Sequence, residues 1–400
     1  MLLYLQITMK DYKMRILIAI LLFLLTLIAL PYYIYNQKFQ SSTILLGMSG
    51  PFSGGLNSVG NQFLMGANIY LSNLNEQGGV FGRKIQIIAK DDRYEPRLAI
   101  ENVKELIEQD KVFALFGVIG TPVAEAVFPI AQEKRVPFVG AYTGAEFLRN
   151  PPNPIVLNAR AGDMDEVEKL VSYYVNELHV KKIALFYQND AYGRAGLKGV
   201  KSALERRNLA LACEGSYKRN TLSVGNALYE IEQCHPEVIL MIGSTMPVGE
   251  FIKRARKSEK IDRNVHFGLF SFVEPRELID MVGEDGKGIT FAQVVPSPWT
   301  ADVDEVENYR QLMKKYHPTE ALSYVSLEGF FAARMIAEVF KTLGPSFTKE
   351  EFIKQLASFS QSLDEKAVSK NRDERCKCLH RVHLSEYVDD DFFSVGKSNE

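Results

Sequence analysis

The chain has no surplus of charge of either sign: 47 Lys and Arg stand against 49 Asp and Glu, a formal net charge of −2. The two signs are interspersed and no basic stripe is interleaved with aromatics, so nucleic acid is not an expected partner. The motifs of catalysis are missing as well. There is no G-x-G-x-x-G, no G-x-x-x-x-G-K-[ST], no H-E-x-x-H and no G-x-S-x-G. Gly283-Glu-Asp-Gly-Lys-Gly288 is glycine-rich, but it precedes an apolar run instead of opening a helix, so it reads as a turn. The six histidines are scattered, and none neighbours a nucleophile in sequence. Neither enzyme chemistry nor a cofactor is expected.

Cysteine is sparse, at four residues. Cys213 and Cys234 fall in the same half of the chain, where they either bridge or stay free and buried. Cys376 and Cys378 form a C-x-C near His380 and His383, a spacing that matches no standard zinc pattern, so no metal site is expected. Long apolar runs are lacking too, with one exception at the N-terminus. Lys10, Lys13 and Arg15 precede an apolar run from Ile16 to Leu30, followed by Pro31-Tyr-Tyr-Ile-Tyr35. Counted through Tyr35 it is about 20 residues, enough to cross a bilayer core, with tyrosines at the far interface. Residues 1–40 therefore read as a signal peptide or an N-terminal membrane anchor, with the rest of the chain outside the cytoplasm.

What remains is long enough for two domains. Thr43–Met48, Lys84–Ala89, Val112–Val118 and Val136–Val139 are short, continuously apolar runs, the pattern of parallel strands covered on both faces. Gln62–Asn75 and Pro96–Gln109 lie between them as amphipathic helices. The pattern restarts near residue 160. Asp163 and Glu166 suggest a capping box ahead of the stripe Val167, Leu170, Val171, Tyr174. Strands are expected at Lys182–Tyr187, Leu209–Glu214, Glu237–Gly243, Val265–Phe270 and Gly288–Val295, with helices at Ala191–Arg207, Ser223–Gln233 and Pro247–Lys257. Two further helices fall within 302–343, the charged stretch from Asp364 to Arg375 reads as a loop, and Val382–Tyr387 as a last strand.

The fold class is thus α/β, two doubly wound Rossmann-like lobes with a cleft where strand C-terminal ends meet. The candidate site residues lie at those ends. Gly120 permits close backbone approach, and Thr121-Pro122 reads as an N-cap and first-turn proline whose helix offers free amides to a carboxylate. Val139-Gly-Ala-Tyr-Thr-Gly144 brings Ala141, Tyr142 and Thr143 to the adjacent strand end. Tyr187-Gln-Asn-Asp-Ala-Tyr-Gly193 places Asp190 and Tyr192 on the opposing wall, and Phe270-Ser-Phe-Val places Ser271 at an equivalent end.

Several segments carry a resemblance. Gly50-Pro-Phe-Ser-Gly-Gly, Asn75-Glu-Gln-Gly-Gly-Val-Phe-Gly-Arg-Lys and Asp91-Asp are similar to the opening of the leucine/isoleucine/valine-binding family of type I periplasmic binding proteins. Phe186-Tyr-Gln-Asn-Asp-Ala-Tyr-Gly, Ser271-Phe-Val, Gln293-Val-Val-Pro and Ser326-Leu-Glu-Gly continue the match. The resemblance implies a Venus-flytrap fold with three crossovers, lobe 1 being 41–160 plus 293–370 and lobe 2 being 161–292 plus 371–400. It further implies capture of a small solute for an ABC permease or, if the N-terminal helix is retained, presentation of the bound state to a membrane receptor. By resemblance Ala141 and Thr143 hold a ligand's ammonium and carboxylate, Thr121 adds a hydroxyl, and Tyr192 is the cleft tyrosine. Two positions depart: Val59 replaces an aromatic residue, and the acid that pairs with the ammonium in branched-chain binders falls near Ser271. That loss removes a charge-assisted partner for an amine, so carboxylates and amides are expected alongside amino acids.

Overall fold

The computed structural model describes residues 23–27, 29–30, 43–368, 381–389 and 391–396. The apolar segment Ile16–Tyr35 lies largely outside them, as do Cys376, Cys378 and His380. Among the described residues no helix is long and apolar enough to cross a membrane, so the anchor gains no support.

The first half builds a five-stranded sheet. Its elements are β1 (Ile44–Gly50), α1 (Asn57–Glu76), β2 (Ile85–Asp91), α2 (Pro96–Glu108), β3 (Ala114–Phe116), α3 (Thr121–Glu133), β4 (Phe138–Val139) and β5 (Val156–Leu157). The strand order is β2-β1-β3-β4-β5, every pair parallel. The chain then crosses to a second sheet through α4 (Asp163–Ser172), β6 (Ile183–Gln188), α5 (Ala191–Glu205), β7 (Cys213–Tyr217), α6 (Gly225–Glu232), β8 (Val238–Ile242), α7 (Thr245–Lys257), β9 (His266–Leu269), α8 (Pro275–Val282) and β10 (Ile289–Gln293). It returns with α9 (Asp304–Tyr316), α10 (Tyr324–Lys341) and α11 (Lys349–Val368), and crosses a third time to β11 (His383–Val388) and β12 (Asp391–Ser394). The second sheet runs β12-β11-β10-β9-β8-β6-β7, parallel except for the antiparallel β11 and β12.

The five parallel strands of the second sheet repeat the order of the first, with β6 in the place of β1. Each sheet therefore reverses strand order once, between β1 and β3 and between β6 and β8. Open α/β sheets bind ligands beside that reversal, outside the strands' carboxyl ends. The apolar runs form these strands because both faces are covered: every residue of β6 and β8 is buried.

Glycines set the closest helix contact. A Cβ on Gly66 of α1 would lie 1.7 Å from the Ser326 carbonyl oxygen of α10, and one on Gly329 of α10 would lie 2.1 Å from the Phe63 carbonyl oxygen of α1. Bare backbone on both helices lets α10 lie directly on α1, with Phe330 packed edge-on to Tyr70 at 5.2 Å.

The elements depart from the sequence reading at several places, the unread β5, β12 and start of α11 among them. The strand expected at Leu209–Glu214 forms at Cys213–Tyr217, because β7 is a sheet edge and needs no continuous apolar run. Leu209 and Leu211 instead pack against the core from the preceding connection. Helix α8 went unread because it is short, although Leu278 and Val282 give it a buried stripe. The stretch from Asp364 continues α11 as far as Val368 instead of starting a loop. Finally, Asp163 and Glu166 form no capping box: the N-terminus of α4 is tied by Asp165, whose carboxylate accepts from the Gly162 N–H at 2.9 Å. Of the two arrangements open to Cys213 and Cys234, the structure has the disulfide.

Candidate ligand-binding cleft

One wall is assembled at the ends of β2, β3 and β4. Asp91 accepts hydrogen bonds from the Phe52 and Ser53 N–H groups at 2.9 and 3.2 Å, tying down the Gly50-Pro-Phe-Ser loop. Asp92, fully buried, accepts from Ser49 Oγ at 2.7 Å and from the Tyr94 N–H at 2.8 Å. That places the Tyr94 ring against Gly120. A Cβ on Gly120 would lie 2.4 Å from the ring, and the residue has φ +85°, so both space and backbone require glycine. Gly120, not Thr121, is the residue preceding α3. The Thr121 hydroxyl makes no capping bond and lies 2.7 Å from that of Thr143. The Ala141–Thr143 turn is held by Tyr142, whose N–H donates to the Val118 carbonyl at 2.8 Å and whose carbonyl accepts from the Gly120 N–H at 3.0 Å. Ala141, Thr121 and Thr143 are all buried.

The other wall comes from β6 and β9. Asp190 caps α5, accepting from the Tyr192 N–H at 3.1 Å, and its second oxygen accepts from Gln188 Nε2 at 2.7 Å and Arg219 Nη1 at 3.2 Å. Beyond β9 the chain presents Ser271 and Phe272. The Phe272 ring meets Tyr192 of its own wall at 5.3 Å and Tyr142 and Tyr94 of the opposing wall at 5.6 and 5.9 Å. Burial raises the pKa of Tyr94, Tyr142 and Tyr192, so their phenols stay neutral. The Tyr142 hydroxyl donates to the Ser271 carbonyl at 3.2 Å, and Gln188 Nε2 donates to the Tyr94 hydroxyl at 3.2 Å. At the rim Arg219 Nη2 reaches Glu95 at 3.2 Å and Asn220 donates to it at 2.6 Å. The walls are thus in contact.

Beside Ser271, at the first crossover, lies a buried charge cluster. Glu166 accepts from the Ser271 N–H and hydroxyl, both at 2.8 Å, and from Arg160 at 3.3 Å. Arg160 also bonds the Ser271 hydroxyl, stands 3.5 Å from Glu328 and lies over the Tyr142 ring at 4.6 Å. Burial raises the Glu328 carboxyl to about 7 and that of Asp163 to about 6. The Ser271 side chain is therefore turned toward this cluster.

The structure brings Thr121, Tyr142, Thr143, Tyr192 and Ser271 into one neighbourhood, with Gly120 and Ala141 shaping its backbone and Asp190 at its edge. Tyr94, Gln188 and Phe272 were missed, as were Arg160, Asp163 and Glu166 as members of the site. The signals were present: Tyr94 follows the Asp91-Asp92 pair, and Phe272 sits inside the Phe270-Ser-Phe-Val segment. Among the described residues no group of His, Cys, Asp and Glu could hold a metal ion.

Two similar α/β lobes facing each other across buried hydroxyls and rings define a two-lobed binding-protein fold. The periplasmic binding protein family model matches residues 43–376, and the chain belongs to that family. It is 26% identical over 313 residues to Leu/Ile/Val-binding protein homolog 7 of Brucella abortus, covering 74% of this chain and 77% of that one. A possible leucine/isoleucine/valine-binding protein from Rhodopirellula baltica superposes with a TM-score of 0.80 at 28% identity, over 90% of this chain and 97% of that one. An ABC transporter solute-binding protein from R. palustris, solved in complex with benzoate, shares the fold with a TM-score of 0.73 at 17% identity, over 89% and 96% of the two chains. The family and these neighbours are solute-binding proteins, and the fold is that of type I periplasmic binding proteins.

Proposed function

We propose that this chain captures a small polar solute outside the cytoplasm by closing its two lobes, and delivers it to an ABC importer. The lobes would be 41–160 with 293–370 and 161–292 with 371–400, rotating about the crossovers. The observation that carries this reading is the Thr121–Thr143 hydroxyl pair, buried at adjacent strand ends and facing a wall that closes with Phe272. One hydroxyl can donate to the other, which leaves the second proton for a ligand carboxylate. Ala141, Tyr142, Gly120, Ser271 and Tyr192 complete the pocket in this proposal, and Asp190 stiffens the wall that closes. The Ser271 hydroxyl, bonded to Glu166, is also held by Arg160 inside the crossover cluster, an arrangement that favours a structural and binding role over turnover.

Relatives named for leucine, isoleucine and valine make amino acids the first solutes to try, and the neighbour holding benzoate brings in plain carboxylates. The test is thermal unfolding of the purified protein against amino acids, amides and small carboxylates. A true ligand at a hundredfold excess over its Kd adds about 2.7 kcal/mol of stability, and Thr143→Val should remove most of that gain. No stabilisation by any solute, with no ligand carried through purification, would sink the reading. If residues 16–35 are retained in the mature protein, a membrane-bound sensor becomes the better version of the same proposal. Mass spectrometry of the N-terminus decides between the two.

A further inference from the structure

We propose that Phe272 sets a size limit on the solute: the closed cleft admits a short polar molecule and excludes one with a bulky apolar body. The inference rests on the solute-binding reading above and adds the residue that selects by length. The polar end of the cleft is the Thr121–Thr143 hydroxyl pair. Phe272 comes from the opposite wall, directly after Ser271, and is 3% exposed. Its ring centre lies 5.6 Å from that of Tyr142 and 5.9 Å from that of Tyr94, both on the hydroxyl wall, and 5.3 Å from Tyr192 on its own. Rings with centres roughly 4.5–7 Å apart touch each other. No methylene fits between Phe272 and the three tyrosines, so the ring stands where a longer solute would put its apolar part.

Contact alone would exclude nothing if the rings could turn aside, but each is held. The Tyr142 hydroxyl donates to the Ser271 carbonyl, Phe63 meets the ring edge-on at 5.7 Å, and Arg160 covers it at 4.6 Å. Tyr94 is fixed at its N–H by Asp92 and at its hydroxyl by Gln188, with Arg219 over the ring at 5.6 Å. The Tyr192 N–H is bonded to Asp190. The backbone that carries Phe272 is pinned on both sides. Before it, Glu166 accepts from the Ser271 N–H and hydroxyl. After it, the Val273 N–H donates to the Phe270 carbonyl at 3.1 Å, closing a tight turn. In the proposed closure the ring returns to one place each time, and a solute that needs that space props the lobes apart. Each methylene that a filled apolar site cannot accept costs on the order of tenfold in affinity.

The test measures two graded series by calorimetry on the purified full chain: glycine, alanine, leucine and phenylalanine, and acetate, butyrate, hexanoate and benzoate. Within a series that binds, the short members should bind at least about tenfold more tightly than the long ones. Phe272→Ala should raise affinity for the long members at least about tenfold and reverse the order. Phe272→Leu keeps an apolar filler and protects the fold, and should move the order part of the way. A ring with a purely structural role would weaken all members alike when replaced, and that result overturns the inference. Tightest binding of phenylalanine or benzoate by the parent overturns it too, by making the ring a stacking surface. Either result leaves the solute-binding reading standing. Binding of no solute of any size, by parent or variants, removes that reading itself.

Discussion

The two walls of the cleft are built by different means. The wall from the first sheet is mostly backbone: Gly117, Gly120 and Gly140, at φ +62°, +85° and +62°, bend the chain so that short hydroxylated side chains face the gap. The wall from the second sheet is mostly side chain, with Tyr192 and Phe272 in front and Asp190 and Gln188 bracing them from behind. In the proposed closure, the backbone-shaped wall would hold a polar ligand first, and the ring-lined wall would then add apolar burial and exclude water. The lobes also differ in how they are held together: Cys213 and Cys234 staple β7 to the turn after α6, whereas residues 43–160 contain no cysteine.

Removing that staple is the strongest way to break the contrast. The bridge closes a loop of sequence separation 21, and Cys213→Ser with Cys234→Ser should lower stability by about 3 kcal/mol on loop entropy. Hydrogen exchange should show the loss concentrated in β6, β7 and α6, with β1 to β4 protected as before. On the opposite wall, Gly120→Ala forces a methyl group against Tyr94 at a positive φ. A loss of about 2 kcal/mol in unfolding free energy is expected by urea denaturation, together with weaker binding of any ligand that needs Thr121.

A third test uses the buried acids. Asp92 of the first lobe has both oxygens bonded, and burial raises its pKa to about 6. Glu274, at the start of α8, has one oxygen accepting from the Glu277 N–H at 2.9 Å and the other without a partner, and burial raises it to about 7. A carboxyl whose folded pKa lies above its unfolded one binds its proton more tightly when folded. Its stabilising share is complete below the ordinary carboxylate range and is lost as pH rises through the folded value. Glu274→Gln should therefore match the parent near pH 4.5 and exceed it by about 1–2 kcal/mol at pH 8, measured by denaturation across that range. A parallel pH dependence in both proteins would show that Glu274 titrates normally. The smallest effect is expected at the rim. Arg219→Ala removes the contacts to Glu95 and Asp190, and should weaken ligand binding by about threefold at low salt and less at high salt.

Much of the scaffold was legible because burial on both faces leaves continuous apolar runs, as in Ile183–Gln188 and Val238–Ile242. The place of Thr121, Tyr142 and Thr143 at strand ends was legible because glycine and hydroxyl residues directly follow an apolar run. The reading failed where one residue type serves two purposes. Asp163 and Glu166 have the spacing of a capping box, and only the path of the first crossover turns both inward. Tyr94 and Phe272 look like ordinary core aromatics, since nothing local to either says that the rings meet across two sheets. Ser271 was placed at the right strand end, but its hydroxyl is bonded to Glu166 and Arg160, partners more than 100 residues away in sequence.

The glycine contact between α1 and α10 has a bearing on the order of assembly. Gly66 and Gly329 touch each other's helices, so the first lobe cannot finish packing until almost the whole chain has been made. The strands of both sheets up to β10 come from uninterrupted stretches, β1–β5 before the first crossover and β6–β10 after it, and need only local partners. Segments rich in nearby contacts assemble sooner than those that must close long loops. Helix α10 is thus a late keystone of the first lobe: until it docks, α1 lacks the partner its glycine contact requires.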